Sequence, residues 1–525
     1  MFPRQIHEQI YFWSLVLLAV SLPLSIFFTS VFQIVLMVNW VAEAQYGEKW
    51  QRFKSDRALW LFLSLFGMHL LGMLWTTDMA YGLKDIRIKL PLLVLPLVIG
   101  TSVPLLRRQT DLILHFFTGA VCVASLASAL ALTGLLPFEI NGYRDISLFI
   151  SYIRFALMIV FATGVIVYFL FFSGLRLPLF LRWFYIVNLI WLPLFLLALK
   201  SLSGIAIFII LMYLLLLRLT FRIRKVSIRF MVFIFALIIP LVSAGYVGYV
   251  VKRFYTTELI VPEEVDRLTA EGNAYLNLTE RKEIENGHFV WMYVCRDELE
   301  REWNRVSGVD FNGMTKNGNS IQETLLRYMT SKGLRKDAEG FSRLTQKDIQ
   351  AVENGIANYI YHKKFSLYPR VYEIIWEIHR VRLGYSPNDK SIIQRWLYLE
   401  AGRTIAAENF WIGVGTGDIY KAFKTYYENT NSPLNENRRR RAHNQYLTFL
   451  IDFGIFGFII CMAAIIGPVF MKKRWDSYMA VVFLLIMGLS MLNEDTIETS
   501  AGVTPFALFY MMFIFGPHYR WLEDG

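Results

Sequence analysis

The stretch RRRRAHNQYLTFLIDFGIFGF, Arg438 to Phe458, sets four arginines just ahead of an apolar run with the composition of a membrane helix. Basic residues beside a span ordinarily mark its cytoplasmic side. Whether this run obeys that rule depends on the number of spans before it, so its reading decides the topology of the chain. The 525 residues are 55% hydrophobic and 18% charged, with a mean hydropathy of +0.42, which leaves too little charge to cover a soluble surface. Apolar blocks of about 20 residues recur instead, as a bilayer-spanning bundle requires.

Working outward from the arginines, such blocks cover 11–29, 31–44, 57–75, 89–105, 112–136, 148–172, 183–199, 203–220 and 229–251, and then 444–470, 477–493 and 501–518. The expected fold is therefore an all-α membrane protein of about twelve transmembrane helices. The first block lacks a small-residue cleavage site, so no cleaved signal peptide is expected. Cys122 and Cys461 fall in apolar blocks and only Cys295 in a polar region, too few for a disulfide framework.

Short-loop charges orient the bundle. With the N-terminus inside, the cytoplasmic loops carry Arg4, the cluster from Lys49 to Arg57, Arg107, Arg108, Arg176, Arg182, the cluster Arg218, Arg222, Arg224, Lys225 and Arg229, the run Lys472 to Arg474, and Arg520. The opposite loops keep only Lys84, Arg87, Lys89, Arg144 and Lys200. This bias predicts a cytoplasmic N-terminus and places the long polar segment 252–442 outside the cytoplasm. Three domains follow: 1–251, a bundle of about nine helices; 252–442, a large external loop domain between the ninth and tenth helices; and 443–525, three C-terminal helices. Within 252–442, Ser320-Ile321-Gln322-Glu323 has the form of a capping box and Gly333 of a helix stop, while Thr345 and Asp348 open another helix. Trp291, Trp303, Tyr328, Tyr359 and Trp376 supply a core, so the segment reads as folded and mainly helical. A partly ordered loop along the membrane face is the alternative.

Arg438 to Arg441 then lie on the side that the other basic loops avoid. A topology shifted by one span, a solvated run on anionic headgroups, and a site for a specific anion are the three accounts. Arginine offers a planar, permanently charged fork suited to phosphate, and His443 beside it has the chemistry to take or relay a proton near neutral pH. The net charge of +11 is assigned to cytoplasmic loops and phosphate-facing groups, and nucleic acid is not an expected partner.

The sequence His443-Asn444-Gln445-Tyr446-Leu447, followed by Asp452-Phe453-Gly454-Ile455-Phe456-Gly457, resembles the closing motif of the O-antigen ligase and O-antigen polymerase family. Gln394-Arg395 through Ala401, and Glu408 through Gly413-Val414-Gly415-Thr416-Gly417-Asp418, resemble that family's arginine helix and glycine stretch. The likeness covers about 395–458 and, through the many-span architecture with one large external loop, extends to the chain as a whole. It implies a glycosyltransferase of the bacterial inner membrane acting on the periplasmic face. Such an enzyme takes a glycan from undecaprenyl diphosphate and moves it to lipid A–core oligosaccharide. Polymerization onto another carrier-linked repeat and protein O-glycosylation are the neighbouring activities. Catalytic roles fall by this resemblance on His443 and Arg395, with Asn444, Tyr446, Gly413, Gly415 and Gly417 as supporting motif residues.

The residues themselves agree with that chemistry. A diphosphate leaving group needs fixed positive charge as the glycosidic bond breaks, and with no Asp-x-Asp motif in view arginines are expected to supply it, without metal or other cofactor. Arg441 and Arg440 are the members of the run assigned to diphosphate. Arg154 lies within an apolar block, where it either lines a polar cavity or snorkels to headgroups. The family's mid-chain Ser-Arg-Gly-like signature is here Lys200-Ser201-Leu202-Ser203-Gly204, so Lys200 brings a point charge in place of a fork. Lys84, Arg87 and Lys89 read as headgroup anchors in contact with membrane lipids, with guidance of carrier phosphates to the site as the alternative. Arg403 reads as solvated, and Glu494, Asp495 and Glu498 as solvated acids, with pairing to the arginines or holding of sugar hydroxyls as the alternatives. The glycines read as a tight turn near the membrane, since no βαβ unit surrounds them. Direct displacement at the anomeric carbon would invert it. An anion or lipid-linked-sugar transporter is the reading from another class, against which stands the absence of any two-fold repeat.

Overall fold

The computed structural model describes residues 3–138, 145–220, 225–261, 265–362, 366, 368–388 and 391–520. Arg144, Arg222 and Arg224, used above for orientation, lie outside them. The chain divides into two compact units, one of Met1–Phe221 with Arg395–Gly525 and the other of Arg222–Gln394.

The first unit opens with α1 (Arg4–Ser21), α2 (Ile26–Ala42), α3 (Tyr46–Ser55), α4 (Arg57–Leu71), α5 (Met79–Lys89), α6 (Pro91–Thr101), α7 (Arg107–Leu132), α8 (Tyr152–Phe171), α9 (Leu179–Ala198) and α10 (Leu202–Thr220). Local chemistry sets these ends. Pro23 lies in the break after α1, and the Ser25 hydroxyl accepts from Phe28 N at 3.3 Å to start α2. The first interruption thus falls at 22–25, earlier than the hydrophobic pattern alone places it. Asp56 caps α4 by accepting from Ala58 N and Leu59 N, and Lys472 closes on it at 2.7 Å. The predicted block 89–105 resolves into the end of α5 and the eleven-residue α6, whose first residue, Pro91, is suited to a helix start.

The second unit holds α11 (Val226–Tyr255), a hairpin pairing Ile284 with Phe289 and Glu285 with His288, and then α12 (Arg296–Val306), α13 (Ile321–Ser331), α14 (Ala338–Ser342), α15 (Gln346–Glu353) and α16 (Tyr368–Arg382). The capping signals hold where the sequence has them. Ser320 accepts from Glu323 N, Thr345 and Asp348 form a reciprocal box around the start of α15, and Gly333 takes φ +69° just past α13. Trp303, Phe311, Leu325, Tyr328 and Met329 are buried together as the core between these helices.

The chain returns to the first unit through α17 (Ser391–Glu408), α18 (Ile419–Asn429), α19 (Gln445–Met471), α20 (Tyr478–Met491) and α21 (Ser500–Tyr510), the last continued by a π turn to Phe515. α19 packs along α4, α1 against α2 and α7, α8 against α9 and α20, and α21 against α6. Aromatic rings knit the centre, with Phe62 stacked on Tyr510 at 4.1 Å and Phe117 edge-on to Phe509 at 4.9 Å.

Among the described residues, six helical stretches are long and apolar enough to cross a membrane: Arg57–Trp75, α7, α8, α9, α11 and α19. The α2–α3 pair, bent by 110°, reaches that length and hydropathy only when its two helices are taken together, and Leu202–Arg218, α20 and Ser500–Phe515 are shorter apolar helices. The fold is a mainly helical, multi-pass membrane architecture with one two-stranded hairpin among the described residues.

Candidate active site

The site is built on a break in α19. Gly454 takes φ +62°, ψ −169° inside that helix, which interrupts its hydrogen-bond ladder. The freed groups find partners in the glycine stretch: Val414 N donates to Ile451 O at 2.8 Å, Gly415 N to Asp452 O at 2.9 Å, and Ile455 N to Phe410 O at 2.7 Å. A Cβ on Gly413, at φ +72°, would stand 2.4 Å from the backbone of Asp452 and Phe453; one on Gly454 would stand 2.3 Å from Trp411. Only glycine allows so close an approach. Further along, Thr416 N reaches Gly72 O at 3.3 Å and Thr416 Oγ1 His69 O at 2.7 Å. The Asp418 carboxylate accepts from Thr77 N at 2.6 Å, Thr77 Oγ1 at 2.7 Å and Asp78 N at 3.0 Å. The glycine stretch therefore clamps α17–α18 onto α19 and the end of α4; its tight turn faces protein.

Above the break, the arginine strand turns into α19 at His443, whose φ of +51° is unusual for a residue with a side chain. Asn444 holds the turn. Its Oδ1 accepts from Leu447 N at 2.9 Å as the helix cap, and its Nδ2 donates to Leu492 O at 2.9 Å. Tyr446 donates to Gly488 O at 2.9 Å. Both motif side chains thus fasten the start of α19 to the end of α20 and the loop 492–499.

That loop carries the acids. Glu494, Asp495 and Glu498 are all buried, each 7% exposed, which corrects their reading as solvated groups. Charge compensation explains it. Glu498 accepts from Lys89 Nζ at 2.8 Å and Gln445 Nε2 at 2.8 Å and faces Arg441 Nη1 at 3.4 Å. Asp495 accepts from Thr448 Oγ1 at 3.0 Å and faces Arg441 Nη2 at 3.5 Å. Lys89 is fully buried rather than a headgroup anchor, because Asp85, four residues earlier on α5, also takes its Nζ at 2.7 Å. Burial opposes the Lys89 charge, and the Asp85 and Glu498 carboxylates at 2.7 and 2.8 Å compensate it. Burial likewise pushes Glu498 up, and Lys89 with Arg441 overcomes it, so the carboxyl stays low.

Arg395 on α17 donates Nη1 to Asn493 Oδ1 at 2.5 Å and Nη2 to Glu494 Oε1 at 3.0 Å. Glu494 Oε2 in turn lies 3.8 Å from His443 Nδ1. Arg395 and His443, chosen from sequence, thus meet at one carboxylate. Burial holds the His443 imidazole below its ordinary value; Asp495 and Glu494 oppose this, while Arg395 and Arg440 add to it. The ring of Tyr398 lies 5.8 Å away.

The other predicted residues are distributed unevenly. Arg440 is exposed beside His443, and its carbonyl accepts from Tyr427 at 2.7 Å. Arg441 is turned inward, its side chain 10% exposed against the two acids. Arg154 is buried, donates Nη2 to Asp495 O at 2.7 Å, and lines a small apolar cavity with Phe117, Leu157, Met487 and Phe509. Arg154 thus lines a cavity, but an apolar one, not the polar cavity expected of it. Lys200 is exposed at the α9–α10 corner with φ +53°; near it Ser203 Oγ accepts from Asn493 Nδ2 at 2.6 Å, which ties that corner to the residue holding Arg395. Arg403 is exposed.

Asn493, Asp85 and His69 belong to this neighbourhood and were not singled out from sequence. His69 is fully buried with neither ring nitrogen hydrogen-bonded, Nδ1 being 3.6 Å from Asp85 Oδ2. The rarity of ionizable residues within spans would have flagged His69, and the i, i+4 spacing would have flagged Asp85 with Lys89. Among the described residues no group of three or more His, Cys, Asp or Glu side chains is placed to hold a metal ion.

A break-and-clamp helix start bearing one histidine, served by a buried ionic floor, defines a multi-pass membrane protein with a solvent-reached polar site. Residues 351–462, about a fifth of the chain, match the family model described as O-Antigen ligase. The match spans Arg395, the glycine stretch and His443. No curated protein matches the chain.

Proposed function

We propose that the protein transfers a glycan from undecaprenyl diphosphate to lipid A–core oligosaccharide at the periplasmic face of the bacterial inner membrane. The chain is then oriented with its N-terminus in the cytoplasm and 252–442 outside, within a bundle of about twelve spans. The observation that carries the reading is the meeting of Arg395 and His443 at Glu494, with Arg440 exposed alongside. The family match supports lipid-linked glycans as the substrate class.

In this reading His443, held neutral by burial, accepts the proton of the acceptor hydroxyl. The hydroxyl oxygen forms its bond to the anomeric carbon from the face opposite the diphosphate. The bond from that carbon to the phosphate oxygen breaks, its electron pair leaves with the diphosphate, and the anomeric configuration inverts. Arg395 and Arg440 meet the charge that builds on the leaving oxygen, without metal. Lys200 adds a charge from its exposed corner, and Arg441 and Arg154 act from the floor.

The test replaces His443 or Arg395 by alanine and follows lipopolysaccharide on gels together with membrane levels of the protein. His443→Ala is expected to lose transfer by about a hundredfold or more, and Arg395→Ala by a comparable factor. Unchanged long-chain lipopolysaccharide in either variant overturns the assignment. Free core with accumulated carrier-linked polymer identifies a ligase; a defect confined to chain length identifies a polymerase.

A further inference from the structure

Glu494 is the one acid of the 492–499 loop that touches neither Lys89 nor Arg441 in the buried floor. Its two oxygens divide between Arg395 Nη2, at 3.0 Å, and His443 Nδ1, at 3.8 Å. The His443 side chain is 28% exposed and that of Glu494 9%, so the carboxylate approaches the imidazole from the protein side. The strained backbone at His443 and the Asn444 cap fix where the ring starts. No other carboxylate lies within 4.0 Å of that ring among the described residues.

We infer that Glu494 is a positioning residue for His443: it accepts a hydrogen bond from Nδ1–H, fixes that tautomer and leaves the Nε2 lone pair free toward the acceptor hydroxyl. The inference rests on the proposed role of His443 as base. A carboxylate behind a histidine performs two tasks: it orients the ring, and it stabilizes the imidazolium that forms once the proton is taken. The separation of 3.8 Å is long for a hydrogen bond, as such contacts often are before substrate binds. Arg395 holds the other oxygen, so the carboxylate cannot swing away, and one side chain couples the leaving-group arginine to the base.

The charged groups facing His443 are Glu494 and Asp495 from the loop, Arg395 from α17 and Arg440 from its own strand. Both acids favour the charged ring and both arginines disfavour it, so loss of the Glu494 charge lowers the pH at which His443 titrates.

The experiment compares wild type, Glu494→Gln, Glu494→Asp and His443→Ala as purified full-length protein, with an undecaprenyl-diphosphate-linked glycan and rough lipopolysaccharide as substrates. Glu494→Gln is expected to lower kcat by about tenfold or more, to leave the acceptor KM within a few-fold, and to move the acidic limb of the rate profile to lower pH. Glu494→Asp is expected to restore part of kcat and the wild-type limb. Wild-type kcat and pH profile in Glu494→Gln overturn the inference. So does a raised donor KM with an unmoved acidic limb, which reduces Glu494 to a counter-ion of Arg395. Thermal midpoints of both variants identify loss of fold, and Glu494→Asp carries the test if Glu494→Gln unfolds. Activity retained in His443→Ala is a separate outcome and removes the reading beneath.

Discussion

Two buried carboxylates, one in each compact unit, are solved in opposite ways. In the second unit Glu285 is fully buried and accepts from Asn358 Nδ2 at 2.7 Å, Arg327 Nη2 at 2.7 Å and Tyr372 at 3.1 Å. Each partner is in bonding range and the centre is closed. In the first unit Glu494 has one close partner, Arg395, and one at 3.8 Å whose ring is open to solvent. A saturated carboxylate stiffens a fold, because desolvation is repaid only by complete pairing. An incompletely saturated one keeps capacity for a further hydrogen bond and belongs where chemistry occurs. The same contrast recurs within one loop, since Glu498, four residues beyond Glu494, is closed by Lys89 and Gln445.

The sharpest way to break the comparison is to open a closed centre. Lys89→Met leaves Asp85 and Glu498 buried without their shared cation and is expected to cost about 3–5 kcal/mol. Lost membrane accumulation, or a lowered thermal midpoint in detergent, reads that loss. Glu285→Leu in the second unit removes the shared acceptor of Arg327, Asn358 and Tyr372 and should cost less, about 2–3 kcal/mol, because the Arg327 side chain is 18% exposed and can turn to water. If either variant keeps wild-type stability, saturation is not what identifies scaffold here.

How far the sequence could reveal this contrast depends on which residues are near one another along the chain. The spans followed from composition, α13 and α15 from their caps, and Arg395 and His443 from motif spacing within some fifty positions. The pairing of Lys89 with Glu498, or of Arg154 with the Asp495 carbonyl, joins residues hundreds of positions apart. No local period encodes such a contact. Whether the acids are solvated or paired stays open in the sequence for the same reason: exposure follows from packing, and their cations sit on α5, α17 and the arginine strand. The break in α19 was visible as glycines, but not as a hydrogen-bond exchange with Phe410 and Val414.

A smaller effect tests the clamp that keeps the open centre in place. Gly413→Ala puts a Cβ 2.4 Å from the Asp452–Phe453 backbone at a φ of +72°. The expected loss is about 2 kcal/mol or more, from overpacking together with backbone strain. Because this clamp seats α19 and hence His443, activity should fall further than the folded fraction does. Equal losses would separate the clamp from the site.

The smallest effect lies at the far end of the clamp. Burial pushes the Asp418 carboxyl up, but hydrogen bonds from Thr77 N, Thr77 Oγ1 and Asp78 N outweigh it, so the group titrates below its ordinary range. A depressed folded-state value contributes stability that is full above the unfolded pKa, about 3.9, and is lost as pH falls through the folded value. Asp418→Asn keeps one acceptor oxygen and should cost about 1 kcal/mol or less at neutral pH. The wild-type and variant thermal midpoints should then converge as the pH is lowered through the range in which Asp418 protonates. A constant difference between them at every pH would mean that Asp418 acts by shape alone, and that the clamp, unlike Glu494, draws nothing from its charge.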